Sequence, residues 1–282
     1  MNANIKKTIV GELPWFLSVP AFLWQILFFC IPLLCIVFLS FVDDAGVGTA
    51  RYFLSVINGE SAHIIIRSLC MAFVNACLCA CIAYPIAYHL VFNVTRWRTT
   101  LLFFLMIPFW TNFLVQVYAW FFLLDTHGLI NTIVLATGIC SEPLHLLNTP
   151  VAVYLVMVIC YLPFMVMPMY ASLEKTDRRL FEASADLGAA PWETFIRITV
   201  PLSLSGIRTG FFLVFVPSFG DYVIPMLLGG GKQLYVGSLI AHYFLVMKDA
   251  HLGAAFTCLT GGVLLVSVVI MLYVFKQKVV KG

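Results

Sequence analysis

Six apolar stretches, each long enough to cross a bilayer, leave few folds open to this chain. A hydrocarbon layer ~30 Å thick takes about 20 helical residues. The runs near Trp15 to Phe41, Ile64 to Val91, Leu101 to Leu124, Val151 to Ser172, Ser205 to Leu228 and Leu252 to Phe275 all meet that length. Only 10% of residues are charged and 62% are hydrophobic, against roughly 25% charged in soluble domains. The expected fold is all-α: a single transmembrane domain over residues 1–282 with six membrane-crossing helices. The first run follows Lys6 and Lys7, but it is too long for the apolar part of a signal peptide and no small-x-small cleavage site follows it. It is read as a retained first span.

Lysine and arginine set the orientation. With the N-terminus inside, the inner segments carry Lys6, Lys7, Arg96, Arg98, Lys175, Arg178, Arg179, Arg197, Arg208, Lys276, Lys278 and Lys281, and the outer ones only Arg51, Arg67, Lys232 and Lys248. The positive-inside rule then puts both termini in the cytoplasm. The formal charge of +3 needs no nucleic-acid partner to explain it, and the six apolar runs make membrane lipid an expected partner.

Between Leu173 and Ser205 the sequence turns polar, with Glu174, Lys175, Asp177, Arg178, Arg179, Glu182, Asp186, Glu193 and Arg197 close together. Leu180, Ala183, Ser184 and Leu187 recur at helical spacing, so a short helix there presents a small, apolar face. Gly188 stands where that helix would end in the left-handed conformation. Pro191 suits the first turn of a second helix, in which Trp192, Phe195, Ile196 and Thr199 repeat the spacing before Pro201 closes it. The expectation is a bent helical elbow on the cytoplasmic side, within residues 173–204.

Several kinds of chemistry find no support. Cys77, Cys79 and Cys81 point in different directions on a helix, there is no Cys-x-x-Cys pair, and the six histidines lack ligand spacing. No catalytic or metal-binding residues are assigned. The run Leu228-Gly229-Gly230-Gly231-Lys232-Gln233 has Met226 and Gln233 where a phosphate loop needs Gly and Ser or Thr, and it reads as a turn ending the fifth span.

The pattern Glu182-Ala183-Ser184-x3-Gly188-x9-Ile198-x-Val200-Pro201 resembles the EAA loop of permease subunits of binding-protein-dependent ABC importers, with Ser184 and Val200 in place of Ala and Leu. The likeness extends over almost the whole chain and narrows to the B-type subunit of spermidine/putrescine permeases. It is carried by Tyr84-Pro85-Ile86-Ala87-Tyr88, Pro108-Phe109-Trp110-Thr111-Asn112, Tyr118-Ala119-Trp120, Gly128-Leu129-Ile130-Asn131, Leu162-Pro163-Phe164, Pro168-Met169-Tyr170 and Val216-Pro217-Ser218-Phe219-Gly220-Asp221-Tyr222-Val223-Ile224-Pro225. Gln116 departs from it, where family members usually carry Arg.

The resemblance implies the type I importer permease fold and a transporter subunit without its own ATPase site. A homologous second permease, two ATP-binding subunits that hold ATP and Mg, and a periplasmic or surface-anchored receptor would complete the complex. No cofactor is expected in this chain. Phe181, Glu182, Ala183, Ser184, Leu187, Gly188, Ala189 and Trp192 would dock on the ATPase. Polyamines are flexible polycations and call for carboxylates and aromatic faces. Asp221 is the one acid placed within a span, where charge is costly and usually functional; Tyr222, Trp110, Tyr118, Trp120 and Asp125 lie at comparable depth. The competing readings are interface anchoring for the aromatic residues, a solvated helix end for Asp125 and a structural pair for Asp221. Import of another small solute is the alternative function. An ion-coupled secondary transporter would need inverted repeats or more buried ionisable groups.

Overall fold

The computed structural model describes residues 18–43, 46–94, 96–138, 142–177, 179–231 and 233–280. Lys6, Lys7, Trp15, Asp44, Arg178, Lys232 and Lys281 lie outside them, as do the side chains of Lys276 and Lys278. The described residues are almost all helical, with one isolated bridge between Val42 and Gly48. Six stretches of helix are long and apolar enough to cross a membrane: Ser18–Ser40, Gly59–Phe92, Phe113–Ala136, Pro150–Glu174, Pro191–Gly220 and Ala250–Phe275.

In chain order the helices are α1 (Ser18–Ser40), α2 (Arg51–Val56), α3 (Gly59–Phe92), α4 (Arg98–Trp110), α5 (Phe113–Leu124), α6 (Leu129–Ala136), α7 (Pro150–Glu174), α8 (Arg179–Asp186), α9 (Pro191–Gly220), α10 (Val223–Leu228), α11 (Val236–Val246) and α12 (Ala250–Val280). They form two compact units. The smaller takes the chain up to Gly59 with His242–Gly262, and the larger takes Glu60–Ala241 with the chain from Val263 onward.

Within the smaller unit, Tyr52 stacks on His251 at 5.1 Å and donates its hydroxyl to Asp43 at 2.9 Å. The His251 Nδ1 lies 3.0 Å from the Leu39 carbonyl. Most α1 side chains are exposed, including Phe22, Trp24 and Phe38, as expected of a helix bathed in lipid.

The core of the larger unit is built on α7 and α9. Adding a Cβ at Gly206 would bring it 2.4 Å from the Pro168 carbonyl oxygen, and one at Gly210 would fall 2.7 Å from the Met165 sulfur. Glycines thus let the two helices touch backbone to side chain. Ser172 and Ser205 share a hydrogen bond of 3.0 Å at the same contact. Helix α3 contributes a fully buried row of small groups, Ala72, Ala76, Cys79, Ala83 and Ala87, spaced to share one face. Two buried polar contacts tie α3 into this core: Asn75 donates to Ser218 at 2.8 Å, and Ser68 accepts the Val236 amide at 2.9 Å.

Three expectations about continuity need correction. The third span, expected from Leu101 to Leu124, is cut into α4 and α5 at Thr111, which is extended (ψ 155°). Asn112 then caps α5 by accepting the Leu114 and Val115 amides at 2.9 and 3.4 Å. The apolar stretch long enough to span is Phe113–Ala136. The fifth span begins earlier than Ser205 and stops at Gly220, so Asp221 sits in a break and not inside a continuous helix. Pro201 does not close the second limb of the elbow. A wide turn at Phe195–Thr199, in which the Val200 amide reaches the Phe195 carbonyl, carries the helix through it. The same device, with the Ile31 amide on the Ile26 carbonyl, precedes Pro32 in α1. A proline has no N–H for the carbonyl four residues back, and a π-type turn redistributes the bonds around it.

The α7–α9 contact yields a direct test. Gly206→Val drives a side chain into backbone, and overpacking of this kind costs roughly 1–3 kcal/mol. The variant should lose thermal stability in detergent, whereas Gly59→Ala, whose Cβ meets nothing within 4 Å, should match the wild type.

Candidate functional site

Two features combine unusual backbone with chemistry-bearing side chains. The first is the elbow. Helix α8 ends in a pair of bonds, Gly188 N–H to the Ala185 carbonyl at 2.9 Å and Ala189 N–H to the Ser184 carbonyl at 3.1 Å. With Gly188 at φ +78°, this is a Schellman closure, which favours glycine. Ala190 is extended, Pro191 lies in the first turn of α9, and the Glu193 carboxylate accepts the Ala190 amide at 3.2 Å. The buried Ser184 hydroxyl joins the two limbs through Thr194 at 2.7 Å.

The corner shows its apolar groups outward. Leu187 is 88% exposed and Trp192 64%, with Leu180 and Ile196 beside them also exposed. Glu182, Ala183 and Gly188 are exposed too, and Ala189 is half-buried. Two of the eight expected docking residues turn inward: Ser184 as above, and Phe181, whose ring meets Phe92 edge to face at 5.0 Å. On the neighbouring α4, Arg98 binds both Tyr170 and Glu174 of α7 and lies over the Tyr170 ring.

The second feature is a cavity of about 280 Å³ beside the α4–α5 break, lined by Pro108, Phe109, Thr111, Phe113, Gln116, Cys160, Tyr161 and Phe164. None of these side chains carries a formal charge. Phe109 and Phe164 meet edge to face at 5.1 Å, with the Tyr161 ring 6.3 Å from Phe164. The Tyr161 hydroxyl donates to Asp221 Oδ2 at 3.2 Å. Asp221 is 7% exposed, and its Oδ1 accepts the Val223 and Ile224 amides at 3.0 and 3.4 Å. The carboxylate therefore caps α10 and reaches the cavity through one tyrosine.

The other expected pathway residues do not line this cavity. Tyr222 precedes α10 and is exposed. Trp110 ends α4, exposed, with its ring 5.4 Å from Phe103. Tyr118 is exposed and Trp120 half-buried on α5. Asp125, half-buried, follows the last turn of α5 and accepts the Thr126 amide at 2.7 Å. Tyr161, Phe109 and Phe164 were missed as site residues. Their signal was an aromatic next to Pro108 or within two residues of Pro163, where kinked helices expose side chains to internal space.

A multi-pass membrane permease is the class of protein that these spans, this elbow and this cavity define. The chain belongs to the family described as binding-protein-dependent transport system inner membrane component, whose model matches residues 78–281. It is 35% identical to the spermidine/putrescine transport system permease protein PotB of Haemophilus influenzae over 91% of both chains. To PotB of Escherichia coli K12 it is 39% identical over 82% of this chain and 86% of that one. The inner membrane ABC transporter permease protein YdcU of E. coli K12 is 30% identical over 72% and 68%. Among solved structures, a bacterial ABC transporter that imports the acidic polysaccharide alginate shares the fold, with a TM-score of 0.76 at 15% identity over 97% of this chain and 99% of that one. The protein is thus a multi-pass permease of the cytoplasmic membrane.

The Ser184–Thr194 bond predicts a local effect. Ser184→Ala removes one buried hydrogen bond, worth about 0.5–1.5 kcal/mol, and should speed amide hydrogen exchange across 179–194 while leaving α7 and the rest of α9 protected. Unchanged exchange in the elbow would show that the backbone closure alone holds the corner.

Proposed function

We propose that this chain is one of two permease subunits of an ATP-driven polyamine importer, with spermidine or putrescine as cargo. The observation that carries the reading is the likeness to PotB across nine-tenths of both chains. A homologous second permease completes the pathway, a periplasmic or surface-anchored receptor delivers solute, and two ATP-binding subunits supply the work. Both termini and the elbow face the cytoplasm, in line with the distribution of Lys and Arg.

The elbow suits docking on the ATPase. Leu187, Trp192 and Ile196 are exposed apolar side chains of the elbow, and the small Ala183 and Gly188 and the acidic Glu182 are exposed with them. Small groups permit close approach, and Glu182 accepts hydrogen bonds from basic groups on a partner. ATP-driven closure of the partner pair then moves the corner, and α9, which starts at the corner, carries that movement into the membrane.

The cavity suits a polycation in transit. Extended backbone such as that at Thr111 is tolerated at membrane depth only where it meets protein or water, which favours a wet pathway at the break. An ammonium group there meets aromatic faces, each worth about 0.5–2 kcal/mol, and the Tyr161 hydroxyl with Asp221 behind it.

Asp221→Asn retains an oxygen that can cap α10 but removes the charge. Uptake of labelled spermidine or putrescine at limiting concentration, in proteoliposomes holding the complete complex, should fall by about tenfold or more, equivalent to ~1.4 kcal/mol. Unchanged uptake would reduce Asp221 to a helix cap. Gly188→Val forces a β-branched residue into the left-handed region, at a cost of roughly 1–2 kcal/mol. Insertion should persist while loaded receptor no longer stimulates ATP hydrolysis; full stimulation would remove the docking role of the corner.

A further inference from the structure

The final turns of α3 carry an aromatic stripe with no part in the cavity or the exposed corner. Tyr84, Tyr88 and Phe92 follow one another at i, i+4 and i+8, so they share one helix face. Phe92 meets Phe181 of α8 at 5.0 Å and 70°. Tyr88 and Tyr84 meet Phe195 of α9 at 5.8 and 5.5 Å, with interplanar angles of 75° and 90°. Tyr88 and Phe92 also touch each other at 4.8 Å, and the Tyr84 hydroxyl lies 3.1 Å from the Ser203 hydroxyl of α9. One helix thus grips both limbs of the elbow, on either side of Gly188. Edge-to-face rings are directional, so they fix the angle of each limb as well as its distance.

Two further features make this grip more than packing. Pro85 removes the bond to the Cys81 carbonyl, yet α3 runs unbroken through it to Phe92 with Ala83, Ala87, Leu90 and Val91 buried, so the aromatic tail is held in line with the rest of the helix. Higher up, Asn75 of the same helix bonds Ser218 of α9, three residues before Asp221. Helix α3 therefore touches the elbow at its C-terminal end and, at its middle, α9 just ahead of the Asp221 break.

We propose that Tyr88 and Phe92 are positioning residues for transport: they pass displacement of the elbow to α3, and through Asn75 and Ser218 to the Asp221 break, as a second route beside the continuous α9. This rests on the elbow being the element that meets the ATPase. A stripe that only packs would affect assembly and stability; a stripe that transmits affects the amount of ATP hydrolysed per solute imported.

The test uses the complete complex in proteoliposomes and measures receptor-stimulated ATP hydrolysis and solute uptake together. In Tyr88→Ala/Phe92→Ala, hydrolysis should stay within about twofold of wild type while uptake falls about tenfold or more, so that the ratio of ATP to solute rises about tenfold. Tyr88→Phe and Phe92→Tyr, which keep the rings, should restore the wild-type ratio. Should the double variant fail to assemble, Tyr88→Leu and Phe92→Leu keep apolar bulk without the ring and should show the same raised ratio singly. A ratio equal to wild type in the leucine variants, or hydrolysis and uptake falling in parallel, overturns the proposal. A photo-crosslinker at position 187 separates the two layers: if it captures the ATPase while the ratio stays normal, transmission through α3 alone is wrong, and if it captures no ATPase in the wild-type complex, the coupling role of the elbow falls first.

Discussion

An unpaired backbone amide or carbonyl costs several kcal/mol in hydrocarbon, and the irregularities at Thr111, Asp221, Pro32 and Pro201 are built around that cost. Where α4 gives way to α5, the Asn112 side chain takes two amides. Where the fifth span stops, Asp221 takes two more. Ahead of Pro32 and Pro201 a wide turn redistributes the bonds that proline cannot make. The breaks are therefore supported structures, and the two capped ones flank the cavity and its tyrosine-linked carboxylate. Asp221 serves two purposes at one place: its Oδ1 secures the backbone, and its Oδ2 faces Tyr161.

Rigidity and freedom are divided among the helices by residue size. Glycines 206 and 210 bring α9 closely against α7, and at Gly206 a methyl group would meet the Pro168 carbonyl at 2.4 Å. Helix α3 meets that pair through buried alanines, a few polar bonds and the rings of Phe73, Tyr84 and Tyr88, and it carries Pro85 without a break. A continuous helix that meets the elbow at its aromatic tail and α9 at Asn75 is suited to moving as a lever.

Much of the fold was legible in the sequence because membrane spans and helix corners have strong local causes. Apolar length located the first, second, fourth and sixth spans but misplaced the third and fifth, and the spacing of Gly188 and Pro191 predicted the corner, since a left-handed residue and a proline-led first turn are local demands. The interruptions were harder to read. Pro108 and Asn112 mark a break at Thr111, but prolines are common within membrane helices, and only the Asn112 side chain folding back on Leu114 and Val115 settles where the helix restarts. Pro201 looked like a terminator because the wide turn that accommodates it depends on the neighbouring backbone. The cavity was the least visible. Phe109 comes from α4, Gln116 from α5, and Tyr161 and Phe164 from α7, and no spacing along the chain tells that these three helices face one space, whereas Trp110 and Tyr118 do not line it.

The functional account depends on the outward face of the Gly188 corner receiving work from an ATP-binding neighbour. Replacing Leu187, the most exposed side chain there, with a photo-reactive amino acid in the native complex tests that most directly. The account predicts a crosslink to the ATPase subunit whose yield changes between nucleotide-free and ATP-bound states. A crosslink confined to lipid, or labelling of position 187 by a reagent that reaches only the external side of the membrane, would contradict it.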